Sequence, residues 1–198
     1  NNTGANPLYG CVNTLRPADL ELAALFSPVG VYYQNPPTTQ SIAFSRLCPA
    51  ITVECGKSGE EAGITAAIEL IERAMRLDDF SHTPPPREEL TLYETIGRVV
   101  VDETASMSFG ETDAELVYRS DLEAMNFTPM RAGDAWAKTT REAMPLTVLN
   151  EHGEDLTDAF FTRRGGDIVL KCDAVPSMVT RDYDIIRQDC LCYLMTPL

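Results

Sequence analysis

The run Ala50-Ile51-Thr52-Val53-Glu54-Cys55 constrains this chain more than any other feature. Its β-branched and apolar residues call for a strand, Gly56 ends it, and Ile64, Ile68, Ile71 and Met75 then recur at helical spacing. Strand, glycine turn and helix in that order form one unit of a mostly parallel sheet, so the first part of the chain reads as an α/β layer. Pro17 starts another helix, with Leu22, Leu25 and Phe26 on one face, and residues 29–33 follow as a short strand. Ser41 is placed as the cap of a short helical stretch through Phe44 and Ser45, which Pro49 stops.

The stretch Ser81-His82-Thr83-Pro84-Pro85-Pro86-Arg87-Glu88-Glu89 holds three successive prolines between polar ends, the composition of an extended linker. Beyond it, residues 92–101, 146–149, 159–162 and 167–171 read as strands, with turns at 150–153 and 164–166. The expected division is therefore an α/β part at 1–82, a linker at 83–89 and a β-rich part at 90–198. The chain opens on Asn1 rather than Met, and it reads as a piece of something longer.

Charge narrows the partners. Against 16 Lys and Arg stand 30 Asp and Glu, a net of −14, and the basic residues form no stripe. A polyphosphate or an anionic membrane would repel such a surface, so nucleic acid and membrane are excluded as expected partners. No window holds the roughly 18 consecutive apolar residues of a membrane-spanning helix, and no signal-like start is seen. Six cysteines without a CxxC pair are too few for a disulfide scaffold, and they read as reduced thiols in a cytoplasmic protein.

Glu54 is the residue most in need of an explanation. It stands in an otherwise apolar strand next to the glycine that ends it, and burying a carboxylate is costly unless it is paired or functional. Open α/β sheets bind ligands at the C-terminal ends of their strands, which makes it a catalytic candidate. A partner such as Arg46, or simple exposure at the strand end, explains it equally well. Gln40 and Arg46 flank the loop before this strand, where an amide and a guanidinium can hold an anionic group or merely face solvent.

Other chemistries find little here. The two histidines, His82 and His152, fall in the proline-rich stretch and in a turn, without the HExxH or HxxE spacing of a zinc site. No cysteine has an evident base beside it, Cys55 alternates to the face opposite Glu54, and Cys190-Leu191-Cys192 is a weak metal signal. Neither GxGxxG nor GxxxxGK[ST] occurs, so nucleotide enzymes are disfavoured.

The segment Pro49-Ala50-Ile51-Thr52-Val53-Glu54-Cys55-Gly56 resembles the succinylglutamate desuccinylase/aspartoacylase family of zinc hydrolases. Asn1-Asn2-Thr3-Gly4 followed by Tyr9-Gly10-Cys11 resembles the run that follows the family's last zinc-binding histidine. The resemblance implies an α/β fold: the C-terminal part of a carboxypeptidase-like, mostly parallel sheet domain, followed by a smaller mainly-β domain. It implies one Zn2+ per complete chain, held by ligands upstream of Asn1 and by none in this segment. Glu54 matches the family's catalytic glutamate, a general base toward the attacking water and then a general acid. Gln40, in Thr38-Thr39-Gln40-Ser41, stands where aspartoacylases carry an arginine for the substrate carboxylate, with Arg46 as a possible substitute. Tyr183 lies near the place of a substrate-contacting tyrosine. The expected activity is amide hydrolysis on a small anionic N-acyl amino acid or related carboxylate, in a possible homo-oligomer. A peptide hydrolase of the same fold and a metal-free binding relative are the alternatives.

Overall fold

In a computed structural model, residues 3–35, 37–80, 82–111 and 113–198 are described. They divide into two compact units. The first holds Pro7–Thr95 with Pro197–Leu198, and the second holds Thr3–Asn6 with Ile96–Thr196.

The first unit runs β1 (Tyr9–Val12), α1 (Pro17–Phe26), β2 (Val29–Tyr32), α2 (Gln40–Phe44), β3 (Ile51–Glu54), α3 (Glu61–Ala74) and the first part of β4 (Thr91–Val101). Its strands lie in the order β4-β2-β1-β3. β1 pairs with β2 and β2 with β4 in parallel, whereas β3 runs antiparallel to β1. The α/β layer is thus present, but its most informative strand points against the others. α1 lies on the face of Gly10 and Val12, and a Cβ on Gly10 would stand 3.0 Å from the Ala23 Cβ. Val12, Leu20, Ala23 and Leu90 form the core on that face. Each buried leucine or valine there contributes about 1.5–3 kcal/mol.

Helix α3 packs on α1, and its small residue Gly63 lies against the Cys55 backbone after β3. Gly63 is buried and Ala66, Ala67, Leu70 and Ala74 are half-buried, and Arg73 Nη1 donates to the Leu25 carbonyl at 3.1 Å. The larger apolar residues lie on a neighbouring arc, where Ile64, Ile68, Ile71 and Met75 are 57, 53, 59 and 82% exposed. Helical spacing identified the helix but not the arc that packs; small side chains won because they permit the close approach at Gly63. Ser41, expected as a cap, is instead the second residue of α2, whose N-cap is Thr39 without a side-chain cap bond. The Ser41 hydroxyl is occupied elsewhere, as the acceptor of a 3.0 Å hydrogen bond from Thr52 Oγ1.

The second unit takes the rest of β4, then β5 (Met107–Phe109), β6 (Leu116–Tyr118), β7 (Ala135–Thr139), β8 (Leu146–Leu149), α4 (Thr157–Phe160), β9 (Phe161–Arg164), β10 (Asp167–Leu170), β11 (Val175–Ser177), α5 (Tyr183–Gln188) and, as far as Thr196, β12 (Cys192–Pro197). β5-β6-β7-β10-β9 form one sheet, and β8 pairs antiparallel with Arg98–Val101 of β4. Trp136, Tyr118, Phe161, Leu116 and Ile168 are fully buried in its core, with the Trp136 and Phe161 rings 5.2 Å apart. Residues 159–162 do not form one strand: Asp155 Oδ1 accepts from the Thr157 N–H at 2.8 Å, a helical turn follows, and β9 begins at Phe161.

The division falls after Thr95, inside β4, and not in residues 83–89. Val29–Tyr32 pairs with Thr91–Glu94, which keeps the start of β4 with the first unit, and the proline stretch leads into that strand. Ser81 of the expected linker lies outside the described residues, as do Asn1 and Asn2 of the N-terminal run. Thr3–Asn6 are tied to the second unit: Asn6 Oδ1 accepts from the Met178 N–H at 2.8 Å, and Glu123 Oε1 from the Ala5 N–H at 3.0 Å. No helix among the described residues is long and apolar enough to cross a membrane.

Candidate active site around Glu54

Glu54 closes β3, and because β3 is antiparallel to β1 it lies opposite Tyr9, at the N-terminal end of β1. Glu54 is the last residue of its own strand, but that end of β3 lies level with the N-terminal end of β1. A carboxylate at the end of the antiparallel strand is delivered to the other edge of the sheet. Register puts Tyr9, Cys11, Thr52 and Glu54 on one face, away from α1. Tyr9 is buried, Cys11 and Glu54 half-buried, and Thr52 exposed.

The thiol of Cys11 is pushed up to about 12 by burial and, secondarily, by the negative charge of Glu54. It stays protonated at neutral pH and is no nucleophile. Thr52 anchors the start of α2 through Ser41, so Gln40, exposed at the first position of that helix, is carried beside the strand two residues ahead of Glu54.

Behind Glu54 the chain is locked. Gly56 has φ +78°, a left-handed conformation, and the Lys57 N–H donates to Glu60 Oε2 at 3.2 Å across the turn into α3. Cys55 is half-buried and its Cβ would stand 3.1 Å from a Cβ on Gly63, so its side chain faces α3, in agreement with a packing role.

Of the other candidates in the first unit, Arg46 does not lie beside Glu54. Arg46 is exposed and lines a pocket with Asn13 at the other end of β1. Tyr183 is the first residue of α5 in the second unit, 46% exposed, with its ring centroid 6.2 Å from that of Phe109. His82 is exposed, and the His152 side chain, 72% exposed, lies 3.7 Å from Glu151. Cys190 and Cys192 are buried free thiols. Among the described residues no three or more His, Cys, Asp or Glu side chains lie together as a metal would need, so these residues do not fit a zinc ion by themselves. Asn13 escaped notice in the sequence, and Tyr9 entered only within a resembling run, because only strand pairing reveals what they adjoin.

What the Glu54 face offers is a half-buried carboxylate able to accept and return a proton, with Gln40 on the helix that Thr52 of the same face anchors through Ser41.

At the sequence level no protein-family model matches the chain, and no curated protein does. Its fold is similar to those of two solved structures. One is murine aminoacylase 3, at a TM-score of 0.55 and 11% identity, with 99% of this chain and 60% of that chain covered. The other is the succinylglutamate desuccinylase/aspartoacylase from Rhodobacter sphaeroides, at 0.51 and 13%, with 98% and 55% covered. The chain thus spans a little over half the length of each.

Proposed function

We propose that this chain is the glutamate-bearing part of a cytoplasmic deacylase that hydrolyses the amide bond of small anionic N-acyl amino acids, a carbon–nitrogen bond other than a peptide bond. The observation that carries the reading is the position of Glu54, at the end of an apolar strand within a fold shared over nearly all of the chain with an aminoacylase and a desuccinylase/aspartoacylase. Glu54 takes a proton from the attacking water and returns it to the leaving nitrogen. Half-burial suits that task, since the carboxylate is shielded on one side and reachable on the other. The Gln40 amide donates to the substrate carboxylate. Tyr183 stands in the second unit, and the reading does not draw on it.

One zinc ion per complete protein, with its ligands outside these 198 residues, would supply the Lewis acidity that such hydrolases use. The test is a substrate screen on the parent protein, with metal content measured on the same sample. Release of free amine from N-acetyl and N-succinyl amino acids should exceed release from dipeptides. A metal-loaded protein that cleaves only peptides, or nothing, overturns the proposal.

The bare arc of α3 bears on assembly. Three isoleucines and a methionine, each more than half exposed, form a stripe of the kind that associates in water. The 198-residue chain is expected to sediment above its 21.8 kDa monomer mass, and the double substitution Ile68→Glu, Ile71→Glu to bring it to the monomer. Monomeric behaviour of the unaltered chain removes this stripe as a self-interface.

A further inference from the structure

The strand that carries Glu54 is weakly fixed by its own pairing. β3 has four residues, stands at the edge of its sheet, and among the described strands pairs with β1 alone. Residues 33–50 carry the chain to it from β2, so no tight turn sets its register. Side-chain alternation does not settle the register either. A slip of one residue on β1 would turn Ile51 and Val53 away from the face of α1, but a slip of two keeps both on that face. The two-residue slip moves Glu54 about 7 Å along the sheet, out of its place opposite Tyr9. The choice between these two registers must come from outside the strand.

A fixed point lies at the entry to β3. Asp19, in the first turn of α1, is fully buried, and its Oδ1 accepts at 2.8 Å from the N–H of Ala50, the residue just before the strand. Arg16 donates to the same carboxylate through Nε at 2.7 Å and Nη2 at 3.0 Å, and Nη2 also donates to the Cys48 carbonyl at 3.1 Å. The Thr14 hydroxyl is a further donor. Burial pushes the Asp19 carboxyl up, yet these donors, Arg16 first, hold it below the usual range, so it stays ionised and accepts from all of them. Residues 13–16 join β1 to α1, and α1 packs on both β1 and β3. The carboxylate therefore measures off the start of β3 from the end of β1. A buried ion pair gains little net stability over an apolar substitute, because desolvation cancels most of the attraction, and holding one strand in one register is the use that remains to it.

We infer that Asp19 is a positioning residue for Glu54: by holding Ala50, it selects the register of β3 that sets Glu54 opposite Tyr9. The register is a property of the strand pair alone. Its consequence for turnover rests on the deacylase reading, and the two are measured separately.

The test is NMR of the isotope-labelled 198-residue chain, reading the backbone contacts of Tyr9 with Glu54 and of Cys11 with Thr52, in Asp19→Ala beside Arg16→Gln. Both variants weaken the same buried cluster, but only Asp19→Ala removes the acceptor of the Ala50 N–H. Asp19→Ala should lose these contacts or add a second set displaced by two residues, while Gly10 keeps its contact with Gly30 on β2. Arg16→Gln should keep the native contacts below its own thermal midpoint. Native contacts alone in Asp19→Ala, or the same displacement in both variants, overturns the inference. In the unaltered chain the Ala50 amide should exchange with solvent within about threefold of the slowest amide of β3, the two opening as one unit. Exchange at Ala50 more than about tenfold faster, a rate at which the clamp opens without the strand, overturns it even where Asp19→Ala fails to fold. In the parent protein the displaced strand should lower kcat about 10²-fold, the scale of a misplaced reacting group. A displaced register with unchanged kcat bears out the register and overturns the role of Glu54.

Discussion

Glu54→Gln in the parent protein is expected to lower turnover by about 10²–10⁴-fold, the range that a positioned general acid–base supplies. The amide has the shape of the carboxylate and can neither accept the proton of the attacking water nor return it to the leaving nitrogen. Glu54 ends β3 opposite Tyr9 and is half-buried, so an isosteric change leaves the strand pairing and the packing beside Cys11 in place. Metal content and thermal midpoint should therefore match the unaltered protein. Glu54→Asp keeps the charge and withdraws it by one methylene, and an intermediate loss is expected, because proton transfer needs hydrogen-bond range. Steady-state kinetics with an N-acyl amino acid, at matched metal content, decide the matter. Near-normal turnover of Glu54→Gln would refute the assignment, whereas a fall in metal content or midpoint equal to the fall in rate would show a structural role only.

Much of the first unit was written in local pattern. Pro17 does begin α1, the β-branched run at 51–54 is β3, and residues 91–101 form one strand. Strand direction was not legible, since a short connection carrying a five-residue helix can lead into a strand of either sense. It is direction that moves Glu54 to the N-terminal edge of β1 and leaves Arg46 at the other edge, with the pocket. Residues near Glu54 in sequence thus divide between two places in space. The second unit was less legible because three of its strands, β5, β6 and β11, have only three residues, too few for alternation to declare itself. Asn13 was invisible for another reason. A polar residue after a strand is ordinary, and only the Tyr33 carbonyl that fixes its amide makes its oxygen an orphan.

The packed arc of α3 leads to the second large effect. Glycine inside a helix is ordinarily worse than alanine by about 1 kcal/mol, so Gly63→Ala should stabilise a helix considered alone. In this fold the sign reverses. A Cβ on Gly63 would stand 1.8 Å from the Cys55 carbonyl oxygen and 2.9 Å from its carbon. Both partners are backbone, so no side-chain rotation relieves the clash, and either α3 lifts from its bed or the segment after β3 moves. Overpacking of this kind costs about 3 kcal/mol, at the upper end of its usual range. Gly59→Ala is the internal contrast: its Cβ meets nothing within 4 Å, and only its φ of +88° penalises the change, by about 1 kcal/mol. Urea denaturation of the two variants should place Gly63→Ala well below Gly59→Ala. Cys55 follows Glu54 directly, so Gly63→Ala should also lower turnover under conditions where the protein is still folded, through a displaced carboxylate. A Gly63→Ala protein as stable as the unaltered one would mean that α3 does not seat against Cys55, and the lock behind Glu54 would have to be abandoned with it.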